Sequence, residues 1–220
     1  MKIVELLNEA YVDPEIDTIL KKKGYQFLGK GTDQYVYAEP NTGLVLKIFG
    51  TSKGTSGSAS DLTNAQKSFK TFYDAIKADP DNEFLPNIFG YAPFMFKGKP
   101  YLQIRMERLL PFTGPDVDEW NYVLADFATE AEDATYNSGK EFVNSLEKKL
   151  NKENDRHIQQ LAILLGRKGL EKLFDTILML NRIAKKNNYV LDLHDGNFML
   201  GSDGTPVISD PFFMGWGKST

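Results

Sequence analysis

The chain contains no cysteine, which removes disulfides, thiolate zinc sites, iron–sulfur clusters and a cysteine nucleophile from consideration together. Histidine is nearly absent as well. His157 and His194 are too few and too far apart in sequence for an imidazole metal site, so any bound cation falls to oxygen ligands, as Mg²⁺ prefers. Charge of one sign is also lacking. With 26 Lys and Arg against 30 Asp and Glu, the formal net charge is −4 and no dense basic block exists, so neither nucleic acid nor an anionic membrane is expected as a partner. No run approaches the roughly 20 apolar residues of a membrane span. The opening MKIVELLNEAYVDPEID sets Val4, Leu7 and Tyr11 at helical spacing among acids and has no signal-peptide core. These absences fit a reducing cytoplasm. The remaining composition, 41% hydrophobic and 12% aromatic over 220 residues, suffices for one sizeable core or two small lobes.

The order of local signals predicts an α+β chain, sheet first and helices after. A helical extension is expected over 1–24, its second helix running from Pro14 to Lys23 and stopped by Gly24. Three β-rich runs, Tyr25–Gly29, Tyr35–Ala38 and Leu44–Phe49, read as an antiparallel meander. Residues 50–60 hold no apolar residue larger than alanine and read as a loop. A helix from about Asp61 to Lys77 gathers Leu62, Phe69, Phe72, Tyr73 and Ile76 on one face, and Phe84–Tyr91 and Tyr101–Leu109 supply strands four and five. From Pro115 to about Asn187 the apolar spacing turns helical, in Trp120–Phe127, Phe142–Leu150, Ile158–Leu165 and Leu170–Ile183. The end returns to strand at Tyr189–Leu191, Phe198–Leu200 and Pro206–Ser209, with a tight turn at Gly201–Gly204. The expected division is a sheet lobe over 25–110 and a shortened, mainly helical lobe over 111–220, with a cleft between them.

The segment VLDLHDGNFMLGSDGTPVISDPF carries the chemistry. Asp192 is followed five residues later by Asn197, then by an apolar hairpin, then by Asp210 thirteen residues beyond Asn197. Phosphoryl transfer from ATP needs an acidic group to orient the attacking hydroxyl and oxygen ligands that seat Mg²⁺ on the phosphates. Asp192 suits the first task and Asn197 and Asp210 the second; the hairpin would bring the two ends of the stretch together. The same residue types also cap ordinary turns. Upstream, Gly29-x-Gly31-x-x-Gln34-x-Val36 lies between two expected strands, where glycine amides either cover phosphates or simply turn a hairpin. Lys47 follows eleven residues after Val36, inside the apolar run Val45-Leu-Lys-Ile. An idle lysine is unfavourable there, although ordinary on a solvent face.

In these residues the chain resembles the protein-kinase-like superfamily, whose catalytic loop reads D-x-x-x-x-N and whose metal loop reads D-F-G or a variant. The D-L-H-x-G-N wording is similar to aminoglycoside phosphotransferases and closer still to the serine/threonine kinases of T-odd podophages. The resemblance implies a two-lobed kinase-like fold and a Ser/Thr protein kinase using ATP and Mg²⁺. Its protein substrates would include host proteins if the chain is phage-encoded. It implies Asp192 as catalytic base, His194 in place of the catalytic-loop lysine, and Asn197 and Asp210 as metal ligands. Gly29, Gly31 and Val36 would cover the nucleotide and Lys47 would reach its α- and β-phosphates, while Glu107 and Leu109, in the hinge position, would offer backbone to adenine. The likeness spans roughly Tyr25 to Phe212.

The departures from the family pattern are specific. Gln34 stands where the third glycine is expected, Val190-Leu191 replaces His-Arg, and Asp210-Pro211-Phe212 replaces D-F-G. Only eight residues follow Phe212, so the activation segment is expected to be missing. No glutamate occurs in the helix after Lys47, where Gln66 and Asp74 are the available partners. Two further readings stay open: a nucleotide-binding pseudokinase serving as a partner-binding module, and a kinase of small cationic molecules resembling aminoglycosides.

Overall fold

Asp13 and Pro14 together start a helix. Asp13 Oδ1 accepts the Glu15 amide at 2.9 Å, and Pro14 fills the first position of α1 (Pro14–Lys22), where no N–H is required. Gly24 ends it at φ +87°, a left-handed conformation that glycine adopts without strain. The computed structural model describes residues 12–31, 34–50, 63–111, 129, 136–153, 156–193 and 195–213. The expected helix through Val4 and Tyr11, most of the loop at 50–60, the helix over Trp120–Phe127 and the candidate His194 lie outside them.

Strands β1 (Gln26–Lys30), β2 (Gln34–Ala38) and β3 (Leu44–Phe49) form the expected meander, followed by α2 (Asn64–Ala78), β4 (Ile88–Phe96) and β5 (Lys99–Glu107). All five strands pair antiparallel in the order β1-β2-β3-β5-β4. On one face Tyr37, Leu46, Ile48 and Tyr101 pack with Val12 and with Ile16 of α1. On the other, Phe69 of α2 meets Phe49 at 4.9 Å between ring centroids, and Tyr73 stacks on Tyr91 at 4.7 Å. Full burial of such side chains contributes about 1.5–3 kcal/mol each, and β3, buried on both faces, is held between two helices.

The fourth strand departs from expectation. Phe84 and Leu85 are turn residues, and pairing begins only at Ile88 and runs on through Pro93 to Phe96. Pro86 and Pro93 both lack an amide hydrogen, which obscures the strand in the sequence; β4 tolerates Pro93 because it stands at one end of the strand order. Its register slips between Ile88 and Gly90, and that of β1, at the other end, between Phe27 and Gly29. Lys97 and Gly98, at φ +49° and +72°, make the turn into β5.

The chain divides into two compact units, Met1–Pro80 with Pro86–Leu109, and Asp81–Leu85 with Leu110–Thr220. The short piece Asp81–Leu85 joins the second through named bonds. Asn82 Nδ2 donates to Thr176 Oγ1 at 3.0 Å, Lys172 pairs with Glu83 at 3.4 Å, and the Ile208 amide donates to the Phe84 carbonyl at 2.9 Å. The described part of this unit is mainly helical: α3 (Gly139–Glu153) and α4 (Arg156–Asn187) join β6 (Leu110–Pro111), β7 (Val190–Leu191), β8 (Phe198–Leu200), β9 (Pro206–Ile208) and β10 (Phe212–Phe213). Helix α4 is two helical segments meeting at Gly166, whose φ of +65° and ψ of 172° are not helical; the break falls between the two expected runs, Ile158–Leu165 and Leu170–Ile183. Phe142 of α3 stacks on Phe174 of α4 at 3.9 Å, and Gly139 donates its amide to Asp175 Oδ1 at 2.7 Å. No described helix is long and apolar enough to cross a membrane.

Candidate functional site

The local fold around Asp192 follows from a hairpin that closes on itself. Phe198, Val207 and Ile208 are buried, so β8 and β9 have an inward side to pair over, with Phe198 opposite Ile208. Between them Gly204, at φ +84°, donates to the Gly201 carbonyl at 3.0 Å. Asp203 Oδ1 accepts the Thr205 amide at 2.9 Å, which holds the Asp203 carboxyl below its ordinary value.

The hairpin delivers Asp210 beside Asn197 and Asp192. The Ser209 amide donates to the Asn197 carbonyl at 2.8 Å, and the Asp192 amide donates to the Pro211 carbonyl at 2.8 Å. The second bond extends the β7–β10 pairing, in which Leu191 faces Phe212. Asp210 is therefore flanked by two backbone links, one to each of the other two residues. Asn197 in turn donates Nδ2 to the Asp192 carbonyl oxygen at 2.7 Å and to Asp192 Oδ2 at 3.3 Å. With its NH₂ end committed to Asp192, the amide presents Oδ1 as its acceptor end. All three residues are half-buried.

That donor set suits Mg²⁺ in kind. Among the described residues no three His, Asp or Glu converge as a metal cluster. Asn197 Oδ1 and the Asp210 carboxylate are hard oxygen donors, and Mg²⁺ is commonly held by one or two such groups while keeping water or phosphate on its remaining positions.

The other candidate residues belong to the first unit. Register sets Gly29 opposite Val36, Val36 opposite Lys47, Lys47 opposite Ile104, and Ile104 opposite Tyr91, a single row across all five strands. Directly paired residues share a face, so Val36 and Lys47 point to the α2 side of the sheet. Gly29 has open space where a Cβ would stand, and the Gly31 amide donates to the Gln34 carbonyl at 2.8 Å. Glu107 donates its amide to the Asn87 carbonyl at 3.0 Å, and its carboxylate accepts the Asn87 amide at 2.7 Å; Leu109 is buried. Lys47 is 8% exposed, with Nζ 5.9 Å above the centre of the Phe69 ring.

The two residues that the sequence leaves available to partner Lys47 have other work. Gln66 Oε1 accepts the Thr63 amide at 2.9 Å, while Nε2 donates to the Phe49 and Gly50 carbonyls at 3.4 and 3.3 Å. Asp74 pairs with Lys70 one turn away. Phe69, by contrast, reads in the sequence only as a core position, and Asn87 carries no sequence signal at all.

No family model matches the chain, and no curated protein matches it.

Proposed function

We propose that this protein is an ATP-dependent phosphotransferase of protein-kinase-like fold, a small Ser/Thr protein kinase acting in the cytoplasm. One observation carries the reading: Asp192, Asn197 and Asp210 are tied together by the Asn197 amide and by two backbone links on either side of Asp210. A turn needs one cap; it does not need an acid, an amide and a second acid held in one place. Mg²⁺, when bound by Asn197 and Asp210, supplies charge neutralisation on the phosphates. Asp192 orients the attacking hydroxyl and takes its proton as oxygen bonds to the γ-phosphorus and the bond to ADP breaks. In this reading Lys47 holds the α- and β-phosphates, the Gly29 and Gly31 amides cover them beside Val36, His194 assists at the catalytic loop, and the backbone of Glu107 and Leu109 meets adenine. The oxygen-donor side chains of Asn197 and Asp210 and the cysteine-free sequence agree with it.

The test is incubation of the protein with γ-labelled ATP and Mg²⁺ in cell extract, alongside Asp192→Asn. Label entering proteins only with the wild type is the expected result. Label in small molecules instead points to the small-molecule kinase. Nucleotide-dependent thermal stabilisation with no transfer by either form leaves the pseudokinase.

A further inference from the structure

Lys47 and Phe69 are brought together by a single turn of helix. Gln66, fully buried, clips the start of α2 to the end of β3 through the Phe49 and Gly50 carbonyls. Three residues on, and so on the same side of the helix, Phe69 is 1% exposed and wedged between the Phe49 ring at 4.9 Å and the Phe72 ring at 5.8 Å. The ring has no freedom to turn away, and its face lies under the Lys47 ammonium at 5.9 Å. The negative face of an aromatic quadrupole attracts a cation at this range, more strongly when both are withdrawn from water, as here.

We propose that Phe69 is a positioning residue for Lys47, holding the ammonium by a cation–π contact, and that Gln66 fixes α2 to β3 so that the ring stays in place. The helix is anchored at its first turn by Gln66, in its middle by Phe69 and Phe72, and beyond them by Tyr73 stacked on Tyr91. Such a helix does not act as a movable switch for the lysine. The lysine is placed once α2 has docked on the sheet. The catalytic consequence rests on the phosphotransferase reading, whereas the contact itself does not.

Phenylalanines bearing one, two and three ring fluorines, placed at position 69 of the full chain, drain the quadrupole while nearly preserving shape. Lys47 is followed through its labelled 13Cε resonance, assigned with Lys47→Arg, and nucleotide affinity and transfer are measured beside it. The expected result is a stepwise move of the Lys47 titration to lower pH with each fluorine. Affinity for Mg·ATP should weaken roughly two- to fivefold by the third, the range of a cation–π contact. An unmoved Lys47 titration across the series overturns the positioning role, even if wild-type transfer is intact. A stepwise Lys47 response in a protein that transfers no phosphate upholds the role and removes the enzyme reading instead.

Discussion

Asn197 places its side-chain NH₂ between the backbone carbonyl and the carboxylate of Asp192, at 2.7 and 3.3 Å. The bond orders two groups at once, because it fixes Asp192 and turns the acceptor end of Asn197 the other way. Asn197→Asp substitutes a carboxylate for the donor and sets like charges together. A stability loss of about 1–3 kcal/mol is expected from the lost bond and repulsion, read as a lowered urea midpoint. Label transfer should fall about 100-fold or more, the scale of a disrupted acid–base group.

The two acids should separate by assay. Asp192→Asn keeps both donors assigned to the cation, so the thermal stabilisation produced by Mg·ATP should persist while transfer is lost. Asp210→Asn should lose both. At ligand 100-fold above its dissociation constant the missing stabilisation amounts to about 2.7 kcal/mol. Equal stabilisation of the two variants in differential scanning fluorimetry would contradict the assignment of Asp210.

How much of this was legible depends on how local each relationship is. The proximity of Asn197 and Asp210 was readable because Gly201–Gly204 and the apolar strands around it form a short hairpin, and a hairpin has little choice of register. The apolar run Val45-Leu-Lys-Ile-Phe marked a strand but left open which face Lys47 takes, because apolar residues occupy both faces. What faces Lys47 was not readable, because it depends on docking α2 against a strand about twenty residues away. Gln66 is the instructive case. Thr63-x-x-Gln66 is a capping-box signal in its own right, and it competes with any role for Gln66 at the lysine. The fourth strand was anticipated but its bounds were not, because Pro93 counts against strand until its place at the end of the sheet is known.

Gln66→Leu tests the anchor of α2. It removes one half of the capping box and leaves the Phe49 and Gly50 carbonyls without the donor they now share. The expected cost is about 2–4 kcal/mol, from the cap and the lost buried bonds together. Urea denaturation followed by circular dichroism reads it.

Tyr37 gives a pH signature on the alkaline side. Burial, and then the Asp17 carboxylate accepting its hydroxyl at 3.2 Å, push the Tyr37 phenol well above its ordinary value of 10.0. A group whose folded value is raised contributes stability that is complete below the unfolded value and is lost as pH climbs toward the folded one. Wild-type stability should therefore decline above pH 10, and Tyr37→Phe should decline less steeply. At neutral pH the variant should be about 1 kcal/mol less stable for want of the hydrogen bond. Thermal melts at stepped pH distinguish the two slopes.

Pro93 and the two register slips also bear on how the protein behaves in crowded solution. Phe27 and Leu28 on β1, and Phe89 and Met95 on β4, are exposed, and apolar residues on terminal strands invite other chains to add on. Neither strand offers an uninterrupted template: β1 is offset between Phe27 and Gly29, and β4 is offset between Ile88 and Gly90 and carries at its centre a residue with no amide hydrogen. The same irregularities that blur the bounds of the fourth strand in the sequence hinder a second molecule from joining its sheet, and with that the first step toward fibrils is obstructed.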